Sequence, residues 1–159
     1  MKGGSGKTTL ATCLGVYWGK QGKRVGYIDA DPSQTAWRLS QLGHGFHQVE
    51  FETARQDTLE TKIKAYRDKG KDRLLIDTPG FESPLIEAAI KNSDCILIPI
   101  RPSPIDFQVA IDTYNLINEL VKAHSRKLVR FVLTQANMKS LIARQIKQDI
   151  QVRNFMICN

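Results

Sequence analysis

Lys2-Gly3-Gly4-Ser5-Gly6-Lys7-Thr8-Thr9 is the stretch on which the fold turns. Glycines let consecutive backbone N–H groups turn inward without a Cβ in the way. With the N-terminus of a following helix, such amides form a concave anion site suited to phosphates. In a loop of this form Lys7 is expected against the β- and γ-phosphates and the Thr8 hydroxyl on Mg²⁺. Residues 7–21 carry the helical pattern that such a loop needs behind it.

Outward from the loop, short β-rich runs alternate with longer helical patterns. Strands are expected at 24–29, 46–51, 73–77, 95–100, 129–134 and 155–158, and helices near 7–21, 32–42, 57–69, 84–91, 104–123 and 140–152. Leu74-Leu75-Ile76 and Cys95-Ile96-Leu97-Ile98 are continuously apolar, as in strands buried on both faces of a parallel sheet. The alternation implies right-handed βαβ units and an α/β fold, a mostly parallel sheet sandwiched by helices in three layers. Residues 1–159 read as one domain without repeats or linkers. Three helix starts are marked by a cap followed by proline: Asp31-Pro32, with Gln34 completing a capping box, Ser83-Pro84, and Ser103-Pro104.

Two acidic segments follow strands. Tyr27-Ile28-Asp29-Ala30-Asp31-Pro32-Ser33-Gln34 offers Asp31 as a carboxylate able to hold or deprotonate a water, or simply to cap the next helix. Leu74-Leu75-Ile76-Asp77-Thr78-Pro79-Gly80 ends an apolar strand on an acid. A buried acid needs a partner, and Mg²⁺ or its bound water can serve.

These motifs resemble the deviant phosphate loop and switch segments of the ParA/MinD family of ATPases. The run Arg101-Pro102-Ser103-Pro104-Ile105-Asp106 is similar to that of small plasmid-partition ParA proteins. The resemblance implies a P-loop ATPase that binds ATP and Mg²⁺ through Gly3, Gly4, Ser5, Gly6, Lys7, Thr8 and Thr9. It implies that Lys2 reaches across an ATP-dependent homodimer to the neighbour's phosphates, as an arginine finger does. It assigns Asp31 to the attacking water, and Thr8, Asp31 and Asp77 to the surroundings of the metal. Asn137 lies in a region where relatives read adenine, but the local motif is weak and a turn asparagine is the more direct reading. The implied process is plasmid or chromosome partition, with ADP as product, nonspecific DNA as partner and a ParB-like adaptor as stimulator. Two other readings stay open: a catalytically impaired chain acting as a dimerising or DNA-associating module, and a MinD-like membrane-cycling ATPase. The latter needs a C-terminal amphipathic basic helix, which the ending 154–159 does not supply.

Charge agrees with a polyanionic partner. The 159 residues carry a formal net charge of +7. Arg126, Lys127, Arg130, Lys139, Arg144, Lys147 and Arg153 are candidates for a DNA-facing patch, whose binding would be steeply salt-dependent. The helix near 140–152 is expected to turn Ile142, Ile146 and Ile150 to the core. Trp18, Tyr17 and Trp37 are expected in the core as well. Cys13, Cys95 and Cys158 have no ligand spacing and read as buried, reduced thiols. His44, His47 and His124 form no grouping. No run is long and apolar enough for a membrane span, and the direct entry into the glycine-rich run gives an expectation of a cytoplasmic, nucleoid-associated protein. Only Met1 precedes Lys2, so the strand expected before such a loop is missing from this sequence, and relatives continue beyond residue 159.

Overall fold

The computed structural model describes residues 4–43, 45–80, 83–121 and 127–152, with the backbone of 157–158. The chain divides into two compact units, Thr8–Asn92 and Met1–Lys7 with Ser93–Asn159.

The unit Thr8–Asn92 contains most of α1 (Lys7–Lys20), then β1 (Val25–Asp29), α2 (Thr35–Gln41), β2 (Val49–Thr53), α3 (Leu59–Asp68), β3 (Arg73–Asp77) and α4 (Pro84–Asn92). Its sheet is wholly parallel in the order β2-β1-β3, with Asp29 registered against Thr53 on one side and Asp77 on the other. All five residues of β1 are buried, as expected of a central strand covered on both faces. Side chains alternate across it. Val25 and Tyr27 pack with Ala36, Val49, Leu75 and Trp18, from α1, α2 and the neighbouring strands. Ile28 packs on the other face with Leu59, Ile63, Tyr66, Leu85 and Ala89, from α3 and α4. Gly26 makes this second layer possible, because a Cβ there would stand 2.8 Å from Cδ1 of Tyr66.

On the surface of this unit Glu50 forms ion pairs with Lys69 and Lys71. Their hydrogen bonds hold the Glu50 carboxyl below the usual carboxylate range. A depressed folded-state value adds stability above the unfolded-state value, and that stability disappears as pH falls through the folded one. Glu50→Gln should therefore flatten the acid side of the stability curve. Thermal melts from neutral pH down through the carboxylate range, at low and high salt, check this. Parallel curves for both proteins at low salt would show that the pairs contribute nothing.

The second unit contains β4 (Cys95–Ile100), α5 (Pro104–Val121), β5 (Leu128–Leu133), α6 (Leu141–Val152) and β6 (Ile157–Cys158). Its sheet is also parallel, in the order β4-β5-β6, with Cys95 against Leu128 and Phe131 against Ile157. Pro99 cannot donate to a ladder, and it is tolerated because β4 is an edge strand of this sheet. Ile98, Ile100, Ala110, Ile111, Ile117, Phe131, Ala143, Ile146 and Ile150 are its buried apolar residues.

The strands thus lie in two three-stranded parallel sheets, where the alternation pointed to one. Among the described residues β3 and β4 each end their sheet. Several local readings are corrected. Helix α2 starts at Thr35 after a left-handed Gln34 with no side-chain cap, so Asp31 and Pro32 form a turn and no capping box. Asp31 Oδ1 instead accepts from the Ser33 amide at 2.8 Å. Strand β2 starts at Val49, leaving Phe46 in a loop with its ring edge-on to Phe51. Cys13 and Cys95 are exposed thiols, not buried ones. Tyr17 is exposed, because α1 turns Trp18 to the sheet. On α6 the buried row is Ala143, Ile146 and Ile150, which leaves Ile142 exposed. Among the described residues no helix is long and apolar enough to cross a membrane.

Candidate nucleotide site

The glycine-rich run is described from Gly4 onward, so Lys2 and Gly3 lie outside the described residues. Gly4 and Gly6 have φ of +103° and +90°, while Ser5 between them is not in the positive region. This alternation of sign turns successive amides to one side and makes an anion-binding concavity. Only glycine adopts such angles at little cost. Helix α1 starts at once with Lys7, and its first turn carries no acid to offset the positive helix end. Ser5 is 4% exposed, and its hydroxyl has no partner among the described residues. The loop is held from β5 and the residue after it, since the Thr134 hydroxyl donates to the Ser5 carbonyl at 2.8 Å. A Cβ on Gly4 would meet Arg101 Nη1 at 3.5 Å. The same guanidinium grips Asp106 through Nε and Nη2 at 3.1 and 3.0 Å. Sequence reasoning missed Thr134 as a neighbour of the loop, whereas the run that contains Arg101 was expected near the nucleotide cleft.

Within the unit Thr8–Asn92, Thr8 in the first turn of α1 is half-buried and Thr9 exposed. Asp29 and Asp77 sit side by side at the carboxyl ends of β1 and β3, 1% and 3% exposed. Ligands of open parallel sheets bind at this end of the strands. Asp29 Oδ1 accepts from the Asp31 amide at 3.2 Å and Oδ2 from the Trp37 amide at 2.9 Å. Its carboxylate therefore shapes the segment that carries Asp31. Burial pushes the Asp29 carboxyl up, and the amides of Trp37, Asp31 and Ala36 pull it back. Asp77 Oδ2 accepts from the Tyr27 hydroxyl at 3.2 Å. Burial above all, and then the Asp77 charge, keeps that phenol protonated far above its ordinary range.

Asn137 is exposed, and its Oδ1 accepts from the Lys139 amide at 3.0 Å, which is turn chemistry. Of the basic candidates, Lys139 and Arg144 are exposed and Lys147 half-buried. Lys127 is committed to the Ser93 carbonyl at 2.7 Å, and half-buried Arg130 bonds the Val129 carbonyl at 2.9 Å. Arg126 and Arg153 lie outside the described residues, as do His44, His124 and the side chain of Cys158.

A model of the VirC1 protein family matches residues 1–150. The chain belongs to this family. It is 33% identical over 139 residues to protein VirC1 of Rhizobium radiobacter, covering 84% of the chain. It is 30% identical over 135 residues to protein ParA of the same organism, covering 83% of the chain. It spans 60% of the length of each of these relatives. Among solved structures, MinD of Aquifex aeolicus superposes with a TM-score of 0.76 at 20% identity, over 98% of the chain and 76% of that protein. Cobyrinic acid a,c-diamide synthase of Mycobacterium smegmatis, with bound ADP and magnesium, superposes with a TM-score of 0.75 at 18% identity, over 96% and 78%. The fold is that of ParA/MinD-type P-loop proteins, and the family is related to plasmid partition proteins.

The residues of this VirC1-family chain suit a magnesium nucleotide. Alternating glycines and an orphaned buried hydroxyl suit phosphate oxygens, while hydroxyl and carboxylate oxygens are hard donors of the kind Mg²⁺ takes. No group of three or more His, Cys, Asp and Glu among the described residues could hold a metal unaided. Mg²⁺ sites commonly complete their shell with substrate phosphates and water.

Proposed function

We propose that this chain binds Mg·ATP and acts as a ParA-like partition ATPase. The observation that carries the proposal is the curled Gly4-Ser5-Gly6 run opening directly into α1 at Lys7. Backbone amides and the Lys7 ammonium hold the β- and γ-phosphates, and Lys2 and Gly3 belong to the same glycine-rich run of sequence. Thr8 and Asp77 serve the metal, which when bound neutralises charge developing on the phosphates. Asp31 orients the attacking water, and its place is set by the Asp29 carboxylate gripping its amide. ATP-dependent dimerisation would bring Lys2 to the partner's phosphates. Nonspecific DNA would meet the exposed Lys139 and Arg144, and a ParB-like adaptor would stimulate hydrolysis, releasing ADP. The likeness to ParA supports plasmid or chromosome segregation as the process, in the cytoplasm at the nucleoid.

Asp31→Ala separates binding from hydrolysis. Isothermal titration should show ATP binding close to wild type, while phosphate release slows by on the order of 10²-fold. Release at the wild-type rate would remove Asp31 from the mechanism.

A further inference from the structure

Tyr27 belongs to the buried face of β1, where any large apolar residue would fill the space. Its ring stacks on Phe51 at a centroid distance of 4.6 Å and lies wholly within the core. Packing accounts for the ring but not for the hydroxyl. That hydroxyl crosses to the next strand and donates to Asp77 Oδ2 at 3.2 Å, in a buried setting. The parallel register places Tyr27 opposite Leu75, with Asp77 one step further along the same face. A hydrogen bond to a buried carboxylate restrains its rotation as well as satisfying its charge. Such outer contacts orient the groups that serve a metal.

We infer that Tyr27 is a positioning residue, whose hydroxyl fixes the orientation in which Asp77 serves the Mg²⁺ of a bound nucleotide. The inference rests on the nucleotide reading above and adds a residue that no motif marks. The hydroxyl tunes how much Mg²⁺ the site needs by acting through Asp77.

Tyr27→Phe removes one oxygen and keeps the ring. The whole chain and this variant are titrated with a fluorescent ATP analogue, first in chelator and then over a Mg²⁺ series, with thermal melts alongside. Without Mg²⁺ the two proteins should bind the analogue alike. With Mg²⁺, the concentration giving half of the metal-dependent gain should rise by about 10-fold in the variant. A merely structural hydroxyl would lower the melting temperature and leave that midpoint where it was, which would overturn the inference while nucleotide binding stood. Analogue binding by the wild type that ignores Mg²⁺ would also overturn it alone. A wild type that binds no analogue under any condition would sink the nucleotide reading and the inference together. If Phe does not support folding, 3-fluorotyrosine at position 27, a stronger donor of the same shape, replaces it. A midpoint unmoved by the fluorine then counts against the inference.

Discussion

Lys7→Ala is expected to abolish measurable ATP binding, a loss on the order of 10²-fold or more in affinity. Removing one partner of a close charge pair leaves the other charge uncompensated, and this typically costs about 3–5 kcal/mol. The lysine opens α1 directly behind two left-handed glycines, in a helix whose first turn contains no acid. A triphosphate held there would lose the ammonium that opens the helix behind the loop. Lys7 is itself half-buried, so the apo protein should melt close to wild type. Calorimetric titration with ATP, together with apo melts, reads both quantities. Wild-type affinity in the variant would mean that the loop does not hold the phosphates.

Tyr66→Ala should destabilise the unit Thr8–Asn92 by about 3–5 kcal/mol, the range for truncating a buried large aromatic ring. Tyr66 is 1% exposed and meets Ile28, Leu59 and Ile63 in the cluster between the sheet and α3. Its ring lies against Gly26, where even a methyl group would collide. Its hydroxyl donates to the Glu50 carbonyl at 3.1 Å. Tyr66→Phe keeps the ring and should lose only about 1 kcal/mol, the net worth of an ordinary hydrogen bond. Denaturant unfolding of the two variants side by side separates cavity from hydrogen bond. Equal midpoints would mean that the site collapses around the lost ring. Because domains are stable by only about 5–15 kcal/mol, the larger loss would bring this unit near its limit.

The order and type of the strands and helices were legible because each rests on a local rule. Apolar runs marked β1, β3, β4 and β5, and the Ser-Pro starts of α4 and α5 appear where they were read, with Ser83 and Ser103 accepting from Leu85 and Asp106. The start of α2 was misread because two local devices competed for Asp31. A capping box and an Asx turn share the same letters, and the contest was decided by Asp29, whose carboxylate takes the amides of Asp31 and Trp37. On α6 Ile146 and Ile150 are buried as read, and only the first member of the inner row was misplaced, for a related reason. Period alone allows Ile142 or Ala143, and the surface α6 packs against selects the smaller side chain.

What the amino-acid order determined unaided is the turn of the glycine-rich run. Left-handed angles at Gly4 and Gly6 are available to glycine and to few other residues, whatever surrounds them. Only the tertiary structure decided what stands around the functional groups. The Ser5 carbonyl and Thr134 hydroxyl are 129 residues apart, and Tyr27 and Asp77 are 50 apart. Contacts of that kind depend on strand order and register, where a shift of one residue sends every side chain to the opposite face. Such a pairing has no local signature, because it is fixed by the packing of the whole sheet.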